Sequence, residues 1–118
     1  MGVGQVSIFV TDLEVAKSFF SRVLGLEVKR ELRPLAVELH DEHVSLLLHL
    51  AKTSHPAELD DVRVSLGFPS FDIYESLRFL NAEGVDILTP EPQYSPFGPW
   101  IAFRDPFGNI LELVAFEE

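Results

Sequence analysis

The chain has 118 residues, 47% of them hydrophobic and 24% charged, with a net charge of -10; these values fit one soluble globular domain and exclude disordered and fibrous classes. The carboxylate excess, with nine Lys and Arg scattered along the chain, argues against nucleic acid or anionic lipid as a partner. No apolar run approaches the ~20 residues of a membrane span and no signal core opens the chain, while the lack of cysteine removes disulfides, thiolate nucleophiles and Cys-ligated zinc, so the expected location is cytoplasmic.

In chain order, a strand over Gly4 to Val10 leads to a helix over about Asp12 to Leu24. Thr11-Asp12-Leu13-Glu14 has the form of a capping box, with Thr11 as the cap, and Gly25 supplies a left-handed stop. Extended segments follow near Leu26 to Leu32, Leu35 to His40 and His43 to Leu50, which makes a βαβββ module over about residues 3–50. Ala51 to Asp61, with Pro56, is a surface connection. The same order then repeats over about residues 62–117: a strand at Val62 to Phe68, a helix at about Phe71 to Glu83 stopped by Gly84, and extended segments near Val85 to Thr89, Trp100 to Arg104 and Asn109 to Phe116. Gly25-Leu26-Glu27-Val28 matches Gly84-Val85-Asp86-Ile87, and Asp12 matches Asp72.

Alternation along the strands separates two faces. Val6, Ile8 and Val10, then Val44, Leu46, Leu48 and Leu50, then Val62, Val64, Leu66 and Phe68 make an apolar face for the helices. The other face collects Gln5, Ser7, Phe9, His49, Arg63, Ser65 and Glu112, which implies a concave, partly polar cup. Glu112 stands out because Ile110-Leu111-Glu112-Leu113-Val114 is otherwise apolar, and an ionised group there is costly unless it is paired, hydrogen-bonded or metal-bound. Pro90 to Pro99, with Tyr94, Phe97 and the following Trp100, has no strand period and can form either a lid that offers flat apolar surface to a ligand or a segment whose Phe97 and Trp100 pack into the core or a subunit interface; Phe9 and Phe107 could extend the lid's lining.

The opening strand with Thr11-Asp12-Leu13-Glu14, the run Phe19-Phe20-Ser21-Arg22-Val23-Leu24-Gly25-Leu26, Asn81-Ala82-Glu83-Gly84-Val85, and the ending Phe103-Arg104-Asp105-Pro106-Phe107-Gly108-Asn109-Ile110-Leu111-Glu112-Leu113 together resemble the vicinal oxygen chelate superfamily of glyoxalases, bleomycin resistance proteins and extradiol dioxygenases. The resemblance implies an α+β fold in which two tandem βαβββ modules form a cupped eight-stranded mixed sheet with helices outside, in a single domain spanning 1-118. It also implies a homodimer. Metal-dependent members take ligands from the first, fourth, fifth and eighth strands. Those positions correspond here to Gln5, to about Leu47 with His49 further along the same face, to Ser65 or Arg63, and to Glu112.

Two of the four positions therefore lack a usual donor. The function expected is binding of a small organic ligand by Gln5, Ser7, Phe9, His49, Arg63, Ser65, Phe97, Trp100 and Glu112, with no cofactor. The alternative is a divalent-metal lyase resembling glyoxalase I, or a dioxygenase, in which Gln5, His49 and Glu112 hold Zn, Ni, Mn or Fe and Glu112 has a catalytic role. Glu112 is open to other partners as well, an ion pair with Arg63 or a hydrogen bond to Gln5, and Arg63 could instead grip an anionic ligand. His40, His43 and His55 are expected on the surface. No Ser-His-Asp arrangement, phosphate-binding glycine loop or CxxC motif is present.

Overall fold

The computed structural model describes residues 2–62 and 64–116. Two compact units divide the chain, residues 1–55 and 56–118, and each carries one βαβββ module. In the first unit the order is β1 Gln5–Val10, α1 Leu13–Arg22, β2 Val28–Leu32, β3 Ala36–Leu39 and β4 Ser45–Leu50. The sheet order is β1-β4-β3-β2, with β1 parallel to β4 and the other pairs antiparallel. In the second unit, β5 Leu66–Pro69, α2 Ile73–Ala82, β6 Asp86–Ile87, β7 Gln93–Ser95, β8 Gly98–Arg104 and β9 Ile110–Val114 follow. Here the order is β5-β9-β8-β6, again with the first pair parallel, and β7 pairs with β8.

The duplication extends to the helix ends. Asp12, extended at φ -148, accepts from the amides of Glu14 and Val15 at 3.0 and 3.1 Å, and Asp72 does the same for Tyr74 and Glu75 at 3.0 and 3.2 Å. The cap is therefore Asp12, not Thr11. A carboxylate suits the site because it satisfies two free amides and sits at the positive end of the helix dipole. Past each helix, Gly25 at φ 71 and Gly84 at φ 73 take the left-handed turn that other side chains resist.

Each helix covers one face of its own sheet. Leu13, Ala16 and Phe20 of α1 share a stripe and are buried, as are Ile8, Val10, Val37, Leu39, Leu46 and Leu48 beneath them. In the second unit Ile73 and Leu80 are buried, with Ile101, Phe103, Leu111 and Leu113 on the matching sheet face. No helix of the described residues is long and apolar enough to cross a membrane.

Three expectations change. The strands lie in two sheets, one in each unit, and number nine among the described residues, since the expected lid contains β7 hairpinned to β8. The expected strand from Val62 shrinks to Leu66–Pro69. Its partner β9 begins at Ile110, so the ladder from Leu66 opposite Leu111 has almost no strand left to continue along. Upstream, Leu59–Asp61 is a short 3-10 turn, and Val64, expected on the buried face, is 82% exposed.

Residues 56–58 are drawn instead to the β8–β9 turn. The Arg104 guanidinium donates to the Ala57 carbonyl at 3.0 and 3.1 Å and meets the Glu58 and Asp86 carboxylates at 2.9 and 3.0 Å. Ala57 N–H donates to the Gly108 carbonyl at 3.2 Å. Inside that turn, the buried Asp105 carboxylate accepts from the amides of Phe107 and Asn109, both at 2.9 Å, and from the Asn109 side chain at 2.8 Å. Phe107, expected to line a site, is buried in the core beside it.

Candidate ligand-binding site

In the second unit the sheet face away from α2 is set by register: Trp100 lies opposite Val114, and Ala102 and Gly67 flank Glu112 on either side. Neither small neighbour gives the carboxylate a polar contact. Among the described residues Glu112 has no hydrogen-bond or ion-pair partner, although it is partly buried.

Above it opens a space of about 400 Å³. Gly67, Trp100, Glu112 and Val114 form its sheet side, Ser95 and Phe97 come from the β7–β8 hairpin, and Phe116 closes it from the C-terminal segment. The hairpin is held by Ser95, whose hydroxyl accepts from the Phe97 amide at 3.2 Å and donates to the Gly98 carbonyl at 3.1 Å. That arrangement presents Phe97, 68% exposed, to solvent. Tyr94 is turned to the helix instead, its hydroxyl 2.9 Å from that of Tyr74.

In the first unit the sheet face away from α1 carries Gln5, Ser7 and Phe9 of β1 opposite Ser45, Leu47 and His49 of β4. The Gln5 amide donates to the Ser7 hydroxyl at 3.3 Å, and the Phe9 and His49 rings tilt against each other at 5.2 Å. His49 Nδ1 lies 3.1 Å from the Leu50 carbonyl. Gln5 and His49 are four register positions apart, about 13 Å along the strands at ~3.3 Å per residue.

The same face holds a carboxylate that the sequence reading passed over. Glu38 of β3 is 4% exposed; Arg30 Nε donates to it at 2.6 Å, the Ser45 hydroxyl at 2.8 Å, and the Lys29 ammonium stands at 3.9 Å. The Ser45 hydrogen bond, then Arg30, hold its carboxyl below the usual glutamate range. The signal was there in Ala36-Val37-Glu38-Leu39, the same lone-carboxylate pattern that marked Glu112. Register makes the relation explicit: Glu38 lies beside Leu47 as Ala102 lies beside Glu112. Glu38 and Glu112 are thus each set on the sheet face away from the helix, displaced by a strand between the two modules.

Among the described residues, a metal-chelating donor set is not assembled within either unit. Leu47 puts hydrocarbon where the first module would need a donor, Gly67 offers no side chain beside Glu112, and Ser65 lies ahead of β5 rather than in it. Among the described residues no group of three or more His, Cys, Asp and Glu is placed to hold a metal ion. Arg63 lies outside the described residues. His40, His43 and His55 are exposed.

Comparison with known proteins places these features in a family. The model of the Glyoxalase/Bleomycin resistance protein/Dioxygenase superfamily matches residues 2–113. A protein of Bacillus subtilis (strain 168), described as uncharacterized protein YetH, is 24% identical over 115 residues, covering 94% of this chain and 95% of its own. Among solved structures, the fosfomycin resistance protein FosX of Listeria monocytogenes superposes with a TM-score of 0.79 at 17% identity, over 99% of this chain and 94% of that one. A lactoylglutathione lyase from Agrobacterium tumefaciens gives 0.73 at 20% identity, over 97% and 92%. At these identities the structural likeness speaks for the fold.

Proposed function

From the premise that the chain belongs to the Glyoxalase/Bleomycin resistance protein/Dioxygenase superfamily, we propose that it binds a small organic molecule in the pocket of its second module, without a complete metal-chelating set. One observation carries this reading: Glu112, a carboxylate without a partner among the described residues, faces a roughly 400 Å³ space walled by Trp100, Phe97 and Phe116. Concave sites with apolar walls and one or two placed polar groups are the usual form of a small-molecule site. A half-buried β9 carboxylate left unpaired among the described residues is available to a ligand. On the other sheet Glu38, already neutralised by Arg30, is the contrasting case.

Trp100 is the only tryptophan in the chain, so its emission reports this pocket alone. Titration with flat aromatic probes, namely benzamidine, benzamide and benzoate, is expected to shift or quench that emission saturably for at least one of them. Protein purified without chelator is expected to contain no stoichiometric metal. If none of the three probes perturbs Trp100, the pocket reading falls. Stoichiometric Zn, Ni, Mn or Fe that disappears in Glu112→Gln would instead favour a metal-dependent lyase or dioxygenase using Gln5, His49 and Glu112.

A further inference from the structure

Resting on that reading, we infer that the ligand of the second-module pocket is a flat organic cation, an aryl amidinium or guanidinium whose charged end meets Glu112 and whose ring lies among Trp100, Phe97 and Phe116. The chemistry of the lining is one-sided. An ionised Glu112 can only accept hydrogen bonds, and it has two oxygens to offer side by side. A planar N–C–N group presents two parallel donors at the matching spacing, the strongest kind of carboxylate pairing. An ammonium is a point charge and would use only part of that geometry.

The walls favour the same charge. Aromatic faces carry the negative end of the ring quadrupole, so a cation above Trp100, Phe97 or Phe116 is attracted, whereas an anion in that position is repelled. Among the described residues no Lys or Arg lines the space. The one other polar side chain there among the described residues, Ser95, has already committed its hydroxyl proton to the Gly98 carbonyl and its oxygen to the Phe97 amide. The net charge of -10 adds a long-range field that gathers cations and turns anions away. Gly67, bare beside Glu112, leaves the flank of the carboxylate open for the second donor.

Benzamidine and benzamide separate this inference from the broader one, since they share shape and differ in charge. Wild-type protein, titrated at low salt with Trp100 emission and amide chemical shifts as readouts, is expected to bind benzamidine at least roughly tenfold more tightly than benzamide, as one charge-assisted pair allows. Glu112→Gln is expected to erase that preference while benzamide binding persists, and Glu112→Asp to keep the preference with weaker affinity. Raising salt is expected to weaken benzamidine and leave benzamide unchanged. Equal binding of the two by wild-type protein overturns the cation and leaves the small-molecule pocket standing. A preference for benzoate overturns it as well and points to Arg63 as the charged partner. Failure of all three probes removes both readings together.

Discussion

Glu38 contributes to the pH response of the first module through a hydrogen-bonded ion pair, beside Glu31 and Asp41, whose carboxyls are also held below their usual range. Its folded pKa lies below that of an ordinary glutamate, so the stabilisation is present above the ordinary value of about 4.3 and is lost as pH falls through the folded one. Glu38→Gln is expected to lower the melting temperature at neutral pH, and the gap to wild type is expected to close between about pH 5 and pH 3. A gap constant across that range would show that the carboxylate charge is not what matters. At the other end of the chain, Gly108 combines φ 88 with a position where an added Cβ would stand 2.6 Å from the Pro56 Cα. Gly108→Ala is therefore expected to destabilise by more than ~1 kcal/mol in urea unfolding; an unchanged midpoint would mean that Pro56 is not held against the turn. Of the two lone strand carboxylates, Glu38 and Glu112, only Glu112 stood out in the sequence. Glu38 shows the same pattern in a shorter strand, and its pairing with Arg30 depends on the register of a neighbouring strand, which no single segment encodes.

At the scale of elements the helices were the most legible, because their stops are local: Gly25 and Gly84 turn left-handed where they stand. The N-terminus was legible to within one residue, since Thr11 and Asp12 are both good caps and only the backbone angles decide between them. Asp12→Ala and Asp72→Ala are each expected to cost about 0.5–2 kcal/mol in chemical denaturation, with Thr11→Ala close to neutral. Strand β5 was overextended in the reading because Val62-Arg63-Val64-Ser65 alternates as a strand should, yet pairing depends on a partner that begins only at Ile110. The lid segment hides a strand, because the hairpin of β7 with β8 is closed by Ser95 side-chain hydrogen bonds rather than marked by a strand period. Gly67 offers a test of the pocket that leaves its charge intact. An added Cβ meets only Val114 Cγ2 at 3.5 Å, an ordinary contact, so Gly67→Ala is expected to fold normally and to weaken probe binding by narrowing the flank of Glu112. Unchanged binding would place the ligand elsewhere.

For the whole molecule, charge is the dominant variable. A net charge of -10 on 118 residues makes the chain repel itself and its copies. The homodimer we propose by family likeness is therefore expected to tighten with salt, and light scattering between low and ~0.2 M NaCl checks it, the Debye length falling to below about 10 Å over that range; mass independent of salt and concentration at the monomer value would remove the dimer. The unit boundary has a practical meaning for anyone who edits this gene. Residues 56–58 look like connector by composition, yet Arg104 and Gly108 bind them into the second unit, while the Ala51 amide is held by the Val10 carbonyl in the first. The permissive stretch is thus residues 52–55. A peptide tag or a protease site spliced there should leave both folds intact, whereas the same insert two or three residues later would pull Ala57 away from the arginine that anchors it.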